Sequence, residues 1–259
     1  MSIESAGTPG AGPLLVRVGN FLFRYRNYAF PMLLLPLLLV FPPQYPLGSA
    51  RLDRWLDAAA LVVAFLGEGL RVAVVGLAYI KRGGVGKRVY AERLVVEGLF
   101  AHCRNPLYVG NAMLLLALLM LVNNPWVYLI GGSFFLFAYT AIVAAEESYL
   151  KKKFGAEYED YCRRVNRWVP DPRGIAETVR GMTFNWRRVA IKEYSSVYAW
   201  VLVAVILQAD ETVRNVGPEA RGPALAALAA VFVLSTAAFI GVYVLKKSRI
   251  LVDRPSSPA

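Results

Sequence analysis

Leu94–Asn111 reads LVVEGLFAHCRNPLYVGN. A short polar stretch holding the chain's one histidine, His102, and Arg104 gives way at Asn105-Pro106 to an apolar run. Proline near the first turn of a helix loses no internal hydrogen bond, so Asn105-Pro106 reads as a helix start. Arg104 just before it reads as a cation at a membrane edge. The apolar run after the next one closes on Glu146-Glu147. A basic, histidine-containing segment answered by twin carboxylates at the same edge is an arrangement that packing does not require.

The apolar runs extend over most of the chain. Its 259 residues are 57% hydrophobic, with a mean hydropathy of +0.45, too apolar for an ordinary soluble domain. A bilayer is crossed by roughly 17–25 helical residues. Six segments approach that length: Tyr28–Leu47, Leu56–Ile80, Pro106–Val122, Trp126–Ala144, Tyr194–Gln208 and Pro223–Leu245. Pro31, Pro36, Pro42 and Pro43 predict that the first is kinked or short, and the fifth is short as well. The expected fold is an all-α integral membrane protein of about six transmembrane helices, with a cytoplasmic helical segment between the fourth and fifth. Residues 1–27 read as an N-terminal tail, 28–170 as the membrane core, 171–193 as a cytoplasmic or interfacial linker, 194–247 as a transmembrane hairpin and 248–259 as a C-terminal tail. No cleavable signal peptide is legible at the N-terminus.

The net charge of +11 is first of all a topology signal. Lys81, Arg82, Lys87, Arg88, Arg93 and Arg104 gather between the second and third runs, and Glu146–Tyr194 is again rich in Lys and Arg. The connection at Asn123–Asn124 has no charge. The positive-inside rule places both termini in the cytoplasm, with Arg51 and Arg54 a mild exception. A bacterial chain of this kind would sit in the inner, plasma membrane. The charge implies contact with anionic headgroups of the bilayer and no nucleic-acid partner, since no basic patch is interleaved with stacking aromatics in a soluble domain. Cys103 and Cys162 fall on the reducing side, so no disulfide is expected. Two cysteines and one histidine exclude the usual four-ligand Cys/His zinc cage, and no metal is expected. The oligomeric state is left open.

Between the fourth and fifth runs, Tyr149, Leu150, Phe154, Tyr158, Tyr161 and Val165 recur at helical intervals, with Gly155 as a break. Pro170-Asp171-Pro172 ends the pattern. Ile175–Tyr194 mixes Arg180, Arg187, Arg188 and Lys192 with Phe184 and Trp186, which suits a segment lying on headgroups.

Each candidate site residue has a plainer reading beside the chemical one. Tyr108 and Gly110 lie on the first turns of a helix whose amides face the cytoplasm, an end that favours an anionic group. Glu146-Glu147, placed at a helix C-terminus, would oppose the dipole and repel each other unless a cation compensates. The alternatives are two solvated acids paired with Lys151, Lys152 or Lys153, or a bound sulfonium, amine or ribose diol. Glu68 and Arg71, three apart inside an apolar run, are either a pair that pins helix packing or a functional pair at depth. His102 is a base near neutrality or a headgroup-level residue without a chemical role. Gly83-Gly84-Val85-Gly86-Lys87 lacks the Ser or Thr of a phosphate loop and reads as a connector.

Three blocks together resemble the isoprenylcysteine carboxyl methyltransferase family and the related phospholipid N-methyltransferases. The first is Gly69-Leu70-Arg71 with Ala73. The second is LVVEGLFAHCRNPLYVGN. The third is EESYLKKKFGAEYEDYCRRVNRWVP, residues 146–170. The resemblance implies S-adenosylmethionine as methyl donor in a cytoplasmic-side pocket, with Asn105, Pro106, Tyr108, Gly110, Asn111, Glu146 and Glu147 at the cofactor. It places Arg104 with them and Arg167, Tyr158 and Tyr161 near the acceptor. From the residues themselves, Arg104 and His102 are the catalytic candidates, and Arg71 and Glu68 are candidates for contact with the acceptor. Asn105 stands where the prenylcysteine enzymes have His, and a further helical hairpin follows the third block; both put the acceptor in question more than the donor.

The chemistry suits such a site. A sulfonium is already a strong electrophile, so the protein's part is to align it with a nucleophile and exclude water. A carboxylate acceptor needs a cation to hold it, which Arg supplies bidentately, whereas an amine needs a base such as His102 or one of the Glu pair. The expected function is methylation of a lipidic or lipidated acceptor, a prenylcysteine-type carboxylate or a lipid amine. A membrane reductase using a nicotinamide cofactor, or a non-catalytic scaffold or transport subunit, are the alternatives.

Overall fold

In the computed structural model of the chain, residues 12–77 and 89–252 are described. The Gly83–Lys87 connector, the charges of Lys81, Arg82, Lys87 and Arg88, and the outermost tail residues lie outside them. Among the described residues the chain is helical, with no strand. The helices are α1 (Pro13–Val40), α2 (Ala50–Leu77), α3 (Pro106–Val122), α4 (Ser133–Phe154), α5 (Ala156–Arg164), α6 (Ile175–Arg180), α7 (Trp186–Asn215) and α8 (Pro218–Lys247). A π-helical stretch, Val127–Gly132, leads into α4. Four helical segments are long and apolar enough to cross a membrane: Ala50–Leu77, Val127–Phe154, Trp186–Asn215 and Pro218–Lys247. α3 is apolar but shorter.

Three boundaries differ from the sequence expectation. The first apolar segment, expected as Tyr28–Leu47, belongs to a helix that starts at Pro13, so Pro13–Asn27 are helical rather than part of a tail. Pro13 fits the first helical position, and α1 runs through Pro31 and Pro36. It ends instead before Pro42-Pro43, with Phe41 out of the helical region at φ −121° and ψ 82°, since a following proline disfavours that region. The fifth segment, expected as Tyr194–Gln208, is the middle of the longer α7. Asn185 caps α7 by accepting from the Arg188 amide at 2.9 Å, which brings Arg187, Arg188 and Lys192 into the helix and leaves only residues 181–185 between α6 and α7. The third difference concerns Glu146-Glu147, which do not end a helix. α4 continues to Phe154 with Lys151, Lys152 and Lys153 in its last turn, the charge sign that a helix C-terminus favours. The break at Gly155 is found as read, at φ +54°, a left-handed value that glycine adopts without steric cost.

The helices pack as two close pairs. α1 lies along α4 and α2 along α3, while α3 and α4 hardly meet. Each pair has a backbone-to-backbone approach at glycine. A Cβ on Gly19 would sit 1.9 Å from the Ala141 carbonyl oxygen, and one on Gly110 would sit 2.8 Å from that of Gly67. At one end the pairs are sealed by Leu37, Ala60, Ala64, Leu114, Val122 and Leu207. Away from that seal they part. α7 packs across α2 and α3, anchored where the Asn185 amide donates to the Gly76 carbonyl at 2.9 Å. α8 packs along α7 and has no buried residue.

Candidate functional site

The parting of the two pairs encloses a cavity of about 580 Å³, within the usual range of small-molecule sites. α2 supplies Arg71, and the start of α3 supplies Pro106, Tyr108 and Asn111, with Arg104 and Asn105 just before it. α4 supplies Tyr139, Glu146, Glu147 and Leu150, and α5 supplies Tyr158 and Tyr161. Phe23, Arg26, Asn27 and Phe30 of α1 form the opposite wall, Tyr90–Val95 cross the mouth, and Ser196 enters from α7.

The carboxylates are held individually. Tyr108 Oη donates to Glu146 Oε1 at 2.7 Å. Glu147 accepts from Arg167, from Nε at 3.0 Å and from a terminal nitrogen as well, and it lies 3.5 Å from Arg104. The lysines of the next turn are engaged elsewhere: Lys151 pairs with Glu159 at 2.8 Å and Lys153 donates to the Ala91 carbonyl. The pair is therefore neither solvated nor set against a helix end. The cost of its position is desolvation, which ionised side chains meet by pairing.

Arg104 also donates to the Cys162 sulfur. Burial works against its charge, but Glu147 and Cys162 more than offset that and raise its pKa. Burial, then Glu147 and Cys162, push the Tyr158 phenol up, and burial, then Cys103, does the same at Tyr161. Both phenols thus stay neutral donors, and Tyr161 Oη donates a hydrogen bond to the Phe100 carbonyl at 2.7 Å.

Deeper in the cavity wall, Arg71 is held from three helices. It pairs with Glu193 of α7 at 2.5 Å and with Glu68 at 3.5 Å, donates to Ser196 Oγ at 2.7 Å and to Asn111 Oδ1. The aliphatic stem of Arg71 crosses Gly110, where a Cβ would meet Arg71 Cγ at 2.6 Å. Gly110 thereby serves helix packing and the path of Arg71, and does not line the cavity.

Three other sequence candidates also fall outside the lining. Glu68 stands behind Arg71. Arg167 reaches the site through Glu147. His102 is buried, with Nδ1 2.9 Å from the Asp171 carbonyl oxygen and Nε2 2.9 Å from Thr178 Oγ1. Its ring ties the segment before α3 to the chain entering α6. The same seam is stitched by Arg104 N to Asn166 O, Asp171 N to His102 O and Asn105 Nδ2 to Arg167 O at 3.1 Å.

The sequence reading missed the α1 wall, Tyr139, Glu193 and Ser196. Phe23, Arg26 and Phe30 have the three- and four-residue spacing of one helical face, a signal hidden once residues 1–27 were set aside as tail. Glu193 was absorbed in a headgroup segment. A third carboxylate cluster, Asp53, Asp57 and Glu211, lies away from the cavity, with one ligand atom of each within 4.8 Å of the others.

Residues 61–157, from within α2 to the start of α5, match the phospholipid methyltransferase family. That segment of the chain carries the family's pattern. Over 118 residues it is 30% identical to a nickel-cobalt-cadmium resistance protein of Alcaligenes xylosoxydans xylosoxydans, covering 46% of this chain and 53% of that one. Over 123 residues it is 29% identical to the protein-S-isoprenylcysteine O-methyltransferase of Rattus norvegicus, covering 47% and 43%. The Schizosaccharomyces pombe protein of the same name is 28% identical over 141 residues, covering 54% and 55%. The chain thus spans about half the length of the curated relatives it matches. No solved structure matches it. The family segment contains the Arg104, Tyr108, Glu146 and Glu147 set. α1, α7 and α8 lie outside it.

Proposed function

We propose that the protein is an integral-membrane methyltransferase that uses S-adenosylmethionine to methylate a lipidic acceptor from the cytoplasmic side. The observation that carries this reading is the cavity between the two helix pairs, with Tyr108–Glu146 and Arg104–Glu147 in its wall inside the methyltransferase-family segment and Arg167 behind Glu147. The donor set suits the cofactor. It combines carboxylates for an ammonium or ribose hydroxyls, guanidinium groups for a carboxylate, and the rings of Tyr108 and Tyr139 for an adenine.

The cofactor would supply a methyl group on a sulfonium, ready for attack without further activation. The chain's work is then binding, alignment and exclusion of water. Tyr108 fixes the rotamer of Glu146 and so aims its free oxygen at a donor group in the cavity. Arg167 does the same for Glu147, which in turn holds Arg104. His102, with both ring nitrogens engaged, acts as a tie between segments rather than as a base. The acceptor's reactive group is a carboxylate or an amine on an apolar tail.

The reading includes six membrane crossings, the four long apolar helices together with α1 and α3, and both termini in the cytoplasm on the positive-inside count. Calorimetric binding of S-adenosylhomocysteine to the detergent-purified protein tests it, with Glu146→Ala/Glu147→Ala as control. Saturable binding that the double variant loses is the expected result. A folded wild-type protein that binds none overturns the reading.

A further inference from the structure

Among the described residues four arginines line the cavity, and three have carboxylate partners. Arg71 pairs with Glu193 and Glu68, Arg104 with Glu147, and Arg93 with Glu97 at 2.6 Å. Arg26 of α1 is the exception: among the described residues it makes no ion pair. Glu146 is within Coulomb range of it, but that carboxylate's contact is with Tyr108. Arg26 packs its guanidinium over the ring of Phe23, with Cζ 4.5 Å from the centroid. Stacking on a buried ring fixes the plane of a guanidinium and leaves its edge, with the N–H fork, available for a planar anion. Phe30, one turn on, lines the same wall and is itself braced edge-on by Phe134, Phe135 and Tyr139. The wall therefore presents, between two aromatic rings, a cation that no carboxylate contacts directly. An ionisable group in a membrane helix that faces a cavity without a direct partner is a place for an anionic group of the occupant.

We infer that Arg26 is the anchor for the anionic group of an amphiphile whose apolar chain lies against Phe23 and Phe30, so that α1, outside the family segment, selects the acceptor. The chemistry recognised is a carboxylate or phosphate beside a hydrocarbon tail. This rests on the methyltransferase reading for what the bound amphiphile is used for, and not for its binding.

The test uses the full chain in a neutral detergent, with equilibrium binding of labelled palmitate, dioleoyl phosphatidic acid and hexadecylamine. Arg26→Gln is expected to weaken the preferred anionic probe about tenfold or more, the scale of a lost charge-assisted pair. Arg26→Lys is expected to recover part of it, and S-adenosylhomocysteine affinity to stay within about twofold. Palmitate bound more tightly than phosphatidic acid assigns a carboxylate, and the reverse order a phosphate. Equal binding of hexadecylamine, or palmitate binding indifferent to both substitutions, overturns the inference. So does a parallel loss of S-adenosylhomocysteine affinity, which would give Arg26 to the donor. If wild type binds palmitate through Arg26 but no S-adenosylhomocysteine, the methyltransferase reading falls and the anion site stands.

Discussion

α2 and α7 are bridged twice by buried polar groups, and the two bridges are built on opposite plans. At the cavity, Arg71 sits between Glu193 and Glu68, with Asn111 and Ser196 taking further donors. Near the other ends of the same helices, Asp53, Asp57 and Glu211 approach one another, and among the described residues no ion pair joins them to a cation. Amides hold them instead: Asn123 donates to Asp53 at 3.0 Å, and Gln208 to Asp57 and Glu211 at 3.1 and 3.2 Å. In the first bridge one cation lies between two acids and attracts both. In the second, the acids are close to each other and their mutual repulsion is relieved by taking one away. The same interhelical gap is thus closed once by attraction and once against repulsion, and substitutions should differ in sign between the two.

The largest effect belongs to Arg71→Ala. It leaves Glu193 and Glu68 buried without their cation, for which about 3–5 kcal/mol is the usual loss. Glu193→Gln keeps a hydrogen-bond acceptor for Arg71 and should cost less, roughly 1–3 kcal/mol. Thermal denaturation in detergent reads both. Equal, small losses would mean that the junction is not what holds α7 to the core, and would leave the Asn185–Gly76 anchor as the better account.

Asp57→Asn is the contrasting case. Asp57 Oδ2 accepts from Gln208, while Oδ1 is buried without a hydrogen-bond partner. An asparagine keeps the acceptor for Gln208 and turns the other position into a donor facing Asp53 or Glu211. The expected outcome is a gain of about 0–1 kcal/mol, since a neutral donor replaces a repelling charge. A loss on the scale of Arg71→Ala in the same melting experiment would break the comparison, because it would show that the third carboxylate is needed as a charge.

The contrast also shows which parts of the molecule could be read from the chain. Local signals were legible. Asn105-Pro106 opens α3, Gly155 breaks the helix after the carboxylates, and the second and third blocks supply most of the cavity wall. Partners distant in sequence were not. Glu68 and Arg71 looked like a self-sufficient pair because Glu193 stands in a stretch whose arginines and lysine resemble a headgroup surface. Arg26 was one positive charge among many in what read as a tail. Glu146-Glu147 looked like a helix terminus because hydropathy falls there, although the helix itself runs on to Phe154. Hydropathy marks where a helix leaves apolar surroundings and says nothing of where its hydrogen bonds stop.

The smallest expected effect is also the one closest to the family comparison. Asn105 lines the cavity and donates through Nδ2 to the Arg167 carbonyl, in the seam that positions Arg167 against Glu147. That bond needs a planar N–H donor of short reach, which an imidazole offers as well as a carboxamide does. Asn105→Ala should cost about 1 kcal/mol by leaving the Arg167 carbonyl without this partner. It should also weaken S-adenosylhomocysteine binding by roughly two- to fivefold as the Glu147 side chain loosens. Asn105→His, the residue of the prenylcysteine enzymes, should stay within about 0.5 kcal/mol of wild type because the donor is kept. A histidine variant that binds the donor product worse than the alanine variant would contradict this. The position would then be governed by the volume it leaves in the cavity and not by the hydrogen bond it makes, and the departure from histidine would report a larger occupant beside α3.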